Sequence, residues 1–282
     1  MENIDKKLII PEKLYDSNLN GKILYIRHGQ TNYNKNSNKS NLNIMKIKSE
    51  YIDCDINEKG IEQTKKISNI IEQLDIEEIY VSPLSRTLHT ALILFKNHPQ
   101  KDKIIIKVHP LITEVISGVH GFSFDIQNNK KIYNLKSEIK FDWSIFDSYY
   151  NTPIEQDLFF FNFIDCLSKK KLKEKKDKIN EYYNKGNLKV KLGEFSKFGV
   201  DSGFKRFETL NHLFKRNLEF KKFIYDKHKN TLEDTEKKII IITHCAFTQI
   251  STSKKAYLGN LKNNFPDDCY KISNCEIISI FH

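Results

Sequence analysis

Residues 22–34 read Lys-Ile-Leu-Tyr-Ile-Arg-His-Gly-Gln-Thr-Asn-Tyr-Asn. The opening KILYIR is apolar, β-rich and of strand length, and it stops at Arg27-His28-Gly29. The pattern predicts a buried strand carrying a polar triplet at its C-terminal end. A run of the same kind, KKIIIIT at 237–243, stops at His244. A third, Ile79–Val81, leads into SPLSR, which ends at Arg86. A fourth, Ile104–Val108, leads into a loop over 111–125 that holds Glu114, Gly118 and Gly121.

Helical spacing separates these strands. Ile61, Ile67, Ile70, Ile71 and Leu74 predict a helix over 58–74. Ser82 as N-cap and Pro83 at the first turn predict another, running to residue 96. Further helices are expected over 205–226 and 247–258, and a last strand over Glu276–Phe281. Residues 31–50, rich in Asn, Ser and Lys, read as a surface loop. Strands alternating with helices predict an α/β fold. The expected architecture is a three-layer sandwich with a mostly parallel central sheet flanked by helices. The whole chain reads as one domain over 1–282, with a lysine-rich helical or irregular cap inserted at 127–202. In such sheets, ligands sit at the carboxyl ends of strands. Arg27, His28, Arg86 and His244 are therefore expected on one sheet edge.

Composition narrows the function classes. The chain has 282 residues, 39% apolar and 29% charged, and a formal charge of +10. No apolar stretch approaches the roughly 20 residues that span a bilayer. Five cysteines without metal-type spacing read as reduced thiols, and with no apolar leader they point to the cytoplasm. The basic excess is mostly lysine, and no basic stretch is interleaved with aromatics, so nucleic-acid and membrane partners are not expected. Only Arg27, Arg86, Arg206 and Arg216 are arginines. A guanidinium offers a planar fork that matches phosphate oxygens, so an arginine in a lysine-rich chain invites a specific explanation.

Two histidines and two arginines at strand ends suit phosphoryl transfer, where catalysis is largely positioning and charge stabilisation. One neutral imidazole can attack phosphorus and a second can stabilise its oxygens. A carboxylic acid must protonate the leaving oxygen, and Glu114 is the best placed, with His120 and Asp125 nearby.

LYIRHGQTNYN resembles the signature of the histidine phosphatase superfamily. DINEKGIEQ, SPLSRTLHTA, PLITE, ETLNHLFKRNLEF, IIITHCAF and ISNCEIISI resemble further family segments in the same order, over about 22–126 and 203–282. The resemblance implies that His28 is phosphorylated and that Arg27, Asn34 and Arg86 bind phosphate. It further implies that His244 completes the pocket, that Glu114 donates the proton and that Gly29 permits close backbone approach. Arg216 is expected to brace the fold. No cofactor and no metal are implied. The expected function is hydrolysis of a phosphate monoester, a small molecule or a phosphoprotein. Phosphoglycerate mutase-type transfer and an inactive phosphate-binding relative are the alternatives. Cys245 after the second histidine, and Glu114 followed by Val-Ile-Ser-Gly, depart from the mutase pattern. No P-loop is present.

Overall fold

The computed structural model describes residues 21–280 apart from 38–41, 136, 184, 235, 254–255, 257–260 and 262–263. Its strands are β1 (Ile23–Arg27), β2 (Ile76–Val81), β3 (Ile105–Val108), β4 (Lys140–Asp142), β5 (Lys238–Thr243) and β6 (Ile277–Ile280). They form one sheet in the order β4-β3-β2-β5-β1-β6. Every pairing is parallel except β1 with β6. Ile239, Ile240, Ile241 and Ile242 of β5 are each 0% exposed. Successive strand residues face opposite sides, so both faces of the sheet are covered. The sandwich expected from the sequence is the fold observed.

The helices are α1 (Asn32–Ser37), α2 (Leu42–Met45), α3 (Glu58–Ile71), α4 (Ser85–Phe95), α5 (Ile126–Leu135), α6 (Ser144–Tyr149), α7 (Pro153–Asp157), α8 (Lys169–Asn180), α9 (Leu188–Asp201), α10 (Leu210–Asp234) and α11 (Cys245–Thr252). α3 packs on α4 and α10 on α11. Asn57 caps α3 by accepting from the Gly60 N–H at 3.0 Å. No helix among the described residues is long and apolar enough to cross a membrane. All five cysteines are free thiols.

Four regions depart from expectation, besides the helix expected over 247–258, which starts at Cys245 and ends at Thr252. The 31–50 stretch is not simply surface loop: it forms α1, α2 and a 3-10 turn at Ser49–Tyr51. Its polar composition hides Met45, which is buried in the main core with Tyr51 just beyond the stretch. The helix expected from Ser82 begins instead at Ser85. Its cap is remote. Asp53, in the left-handed region at φ 45°, accepts from the Ser85 N–H at 2.8 Å and the Ser85 hydroxyl at 2.9 Å. The stretch at 127–202 includes β4, which extends the sheet beside β3. Three residues, of which only Phe141 is buried, are too short a pattern to read as a strand. Its aromatic run also enters the core: Phe160 stacks on Phe122 at 4.4 Å. Finally, α10 starts at Leu210, because Asp165 accepts from the Thr209 N–H at 2.7 Å.

Candidate active site

The parallel ladder of β1 and β5 pairs Arg27 with Thr243. The next residue on each strand is a histidine, so register alone sets His28 beside His244. Their ring centroids are 5.1 Å apart. The His28 N–H donates to the Thr243 carbonyl at 3.1 Å, which ties the turn to the sheet. Gly29 then passes against α3 and α4. Its N–H donates to Thr90 Oγ1 at 3.0 Å. A Cβ there would lie 2.7 Å from the Gly60 carbonyl oxygen, so this close approach requires glycine.

His28 Nδ1 lies 2.8 Å from the Gly29 carbonyl. A carbonyl only accepts, so Nδ1 carries the proton and Nε2 the lone pair. Arg86, in the first turn of α4, donates from Nε to His28 Nε2 at 3.3 Å. His244 Nε2 is 2.8 Å from Ser82 Oγ. Its Nδ1 is 3.9 Å from Glu114 Oε2. Arg27 Nη1 donates to the Ile272 carbonyl at 2.9 Å. His28, Arg86, Glu114 and His244 are all buried.

Three buried atoms here have no hydrogen-bond partner among the described residues: Arg27 Nε, Arg86 Nη1 and His244 Nδ1. An unsatisfied buried donor costs about 1–3 kcal/mol. Such groups gathered in one place mark a site built to receive something. Burial, then the Arg86 and Arg27 charges, hold the His28 imidazole well below its ordinary 6.5. Burial and Arg86 do the same to His244. These shifts favour neutral rings, and an anion close to His244 would favour its charged form.

His28, Glu114 and His244 offer ligand atoms within 4.8 Å of one another, a spacing that would admit a cation by distance. The guanidinium charges that act on both imidazoles oppose a dication and favour an anion.

Asn34 sits in the adjoining loop. Its Oδ1 accepts from the Thr31 N–H and hydroxyl, each at 3.1 Å, and from Asn274 Nδ2 at 3.3 Å. Its amide nitrogen is the group able to donate to an anion. Asn274 Nδ2 also donates to the His28 carbonyl at 2.9 Å.

Glu114 is positioned from behind. Arg216 donates to the Leu111, Thr113 and Glu114 carbonyls at 2.6, 2.8 and 3.3 Å. The same guanidinium forks onto Glu208 at 2.6 and 3.0 Å. Burial alone would raise the Glu208 carboxyl, yet Arg216 holds it below its ordinary value. Arg216 thus braces the acid loop.

The structure brings together Arg27, His28, Arg86, Glu114 and His244, as the sequence suggested. Asp125, a rival acid, accepts from the Asn128 N–H at 3.3 Å at the start of α5. Cys245 is a thiol pushed up to about 11 by burial. Ser82 was read as a helix cap, and its contact with His244 spans 162 positions. No local pattern signals it, beyond a serine that directly follows a strand.

Residues 23–121 match the family model for the histidine phosphatase superfamily (branch 1). Over 87 residues the chain is 32% identical to a 2,3-bisphosphoglycerate-dependent phosphoglycerate mutase of Chlamydia pneumoniae, covering 31% of this chain and 34% of that one. The chain therefore spans about a third of the length of that curated relative. Among solved structures, it is similar to a mycobacterial glucosyl-3-phosphoglycerate phosphatase complexed with VO3. The TM-score is 0.47 and the identity 13%, over 91% of this chain and 89% of that one. It is also similar to the ecdysone phosphate phosphatase of Bombix mori in complex with tungstate. There the TM-score is 0.42 and the identity 13%, over 90% and 86% of the two chains. Arg27, His28, Asn34, Arg86 and Glu114 all fall inside the stretch that matches the family model of the histidine phosphatase superfamily, branch 1.

Proposed function

We propose that this chain hydrolyses phosphate monoesters through a phosphohistidine at His28. The observation that carries the reading is the Gly29 carbonyl on His28 Nδ1. It leaves the lone pair on Nε2, where it faces the Arg86 guanidinium, beside guanidinium nitrogens that have no hydrogen-bond partner among the described residues.

The ester's phosphoryl oxygens take the open donors of Arg27 and Arg86. His28 Nε2 attacks phosphorus while the bond to the leaving oxygen breaks. The positive charge that develops on the imidazole is stabilised by the bond from Nδ1–H to the Gly29 carbonyl. Glu114 gives its proton to the leaving oxygen. It then takes one from the water that attacks phosphorus, and His28 leaves as neutral imidazole. His244 gains a proton as the dianion enters and holds a phosphoryl oxygen. The cationic charge for this comes from side chains, so the reaction runs without a metal. The substrate is a small phosphate ester or a phosphoprotein.

The test is release of phosphate from a generic aryl phosphate with chelator present. Vanadate is expected to inhibit. His28→Ala is expected to lower kcat/KM by on the order of a thousandfold or more. Strict dependence on added metal, or an active His28→Ala protein, would overturn the reading.

A second reading is favoured by the 87-residue likeness to a mutase. Transfer between positions of a phosphoglycerate requires a bisphosphate primer to keep the histidine charged. An isomerase assay with and without primer separates the two.

A further inference from the structure

The chemistry above leaves His120 without a task. It lies on a 3-10 turn, Val119–Gly121, in the loop that Glu114 opens. Its ring stacks on Tyr33 of α1, with centroids 4.0 Å apart and planes 16° apart. Tyr33 in turn meets Tyr51 edge-on at 5.6 Å. His120 Nε2 is 3.2 Å from Ser117 Oγ. Its Nδ1 is buried and has no partner.

The backbone that carries the ring is pinned. The Val119 N–H donates to the Lys46 carbonyl at 3.0 Å, and Gly121 to Gly118 at 3.0 Å. A Cβ on Gly121 would meet the Val115 carbonyl oxygen at 2.8 Å. The Arg86 charge acts on both His120 and Tyr33, and the Glu114 charge acts on Tyr33. Tyr33 directly precedes Asn34, and His120 lies six residues past Glu114, so the stack joins the two loops that flank the pocket, on the side of the acid. The acid is the group that reaches the leaving oxygen, so what borders it is the leaving group.

We propose that the Tyr33–His120 stack is the leaving-group subsite, where His120 Nδ1 hydrogen-bonds a hydroxyl of the substrate. The chain accordingly prefers phosphate monoesters of polyhydroxylated alcohols over those of plain phenols. This rests on the phosphate-site reading above. Burial and the Arg86 charge keep the ring neutral, and a neutral imidazole nitrogen either donates or accepts. A hydroxyl does both, so it suits whichever tautomer Ser117 selects. A carboxylate would suit only one. Arg86 Nη1 and His244 Nδ1 are buried without a hydrogen-bond partner among the described residues, just as His120 Nδ1 is. A ligand that parts the pocket for its phosphate meets all three.

The experiment is calorimetric binding of glycerol phosphate and phenyl phosphate to the His28→Ala protein, which does not turn them over. The same titrations are run with His120→Phe or His120→Gln added. Phenylalanine keeps a ring against Tyr33 and removes the nitrogen. The affinity ratio, glycerol over phenyl phosphate, is expected to fall about tenfold with phenylalanine, and glutamine to restore part of it. An unchanged ratio, or a parallel loss for both esters, overturns the subsite. If the parent binds neither ester, the phosphate-site reading fails and the subsite with it. If the ratio shifts as expected but the unsubstituted chain turns over neither ester, only the hydrolase reading fails.

Discussion

A single carbonyl, that of Gly29, holds the proton on His28 Nδ1 and so makes Nε2 the nucleophile of the proposed reaction. The environment then keeps that nitrogen unprotonated, since burial, Arg86 and Arg27 lower its pKa from 6.5. On the proposed reading, a lowered histidine pKa means that the nucleophile survives mild acid. In kcat/KM, corrected for ionisation of the substrate, the acid limb is expected well below pH 6.5. A limb at or above 6.5 would contradict the electrostatics. Gly29 makes a second prediction. Its Cβ would stand 2.7 Å from a backbone oxygen and 3.0 Å from Thr64 Oγ1. Gly29→Ala is expected to cost about 1–3 kcal/mol in urea unfolding, and a variant of parental stability would refute the close-packing account. At this scale the sequence was most legible where a residue's role follows from its own strand, as for Arg27, His28 and His244. It was least legible for pairs joined across loops. Tyr33 and His120 stack although 87 positions part them, and no periodicity marks such a contact.

Among the elements, β1 and β5 do most to build the site, because their parallel register delivers two histidines side by side. α4 brings Arg86, and Asp53 holds its first turn from outside. Asp53→Ala is expected to cost about 1–2 kcal/mol, with Asp53→Asn costing less, read by urea unfolding. Equal stability of all three proteins would show that the cap is idle. The acid loop depends on α10. Arg216 and Glu208 are each at most 3% exposed and pair through a two-point fork. Arg216→Met strips one partner from a buried pair and is expected to cost about 3–5 kcal/mol. It should lower kcat for any substrate, since the carbonyl of Glu114 loses its anchor. Unaltered kcat and stability would mean the brace is dispensable. Strands with a continuous apolar run were readable from sequence. β4 was not, because pairing to β3 makes it a strand and its own composition does not. The start of α4 was misplaced for a related reason, since its cap comes from a residue 32 positions away.

Across the whole molecule, neutral burial of histidine makes stability depend on pH. Burial, aided by neighbouring cations, lowers His109 and His120 to about 3. His28 and His244 lie well below 6.5. For each, stability is complete above 6.5 and is lost as pH falls towards the folded value, because the unfolded chain binds protons first. Asp53, raised to about 6 chiefly by burial, works the other way between about 4 and 6. His228, lowered to about 4 chiefly by burial, joins the histidines, and Asp157, raised chiefly by burial, joins Asp53; five histidines outweigh two carboxyls. Unfolding free energy is therefore expected to fall steadily from pH 7 to pH 4, and a flat or rising profile would contradict the burial of these rings. The lysine-rich stretch at 127–202 shows how far sequence goes at this scale. Its charge run over Lys169–Lys178 was legible as a solvated face, and α8 has Ile179 as its buried residue. Its contribution to sheet and core rests on long-range contacts such as Phe160 on Phe122. The central claim, covalent chemistry at His28, is tested most directly by acid-base lability and peptide mapping of the phosphorylated intermediate. The chain is quenched during turnover of a labelled aryl phosphate. The account predicts label that is stable in base and labile in acid, on the peptide containing His28. Acid-stable label, label on another residue, or turnover with no trapped label would contradict it.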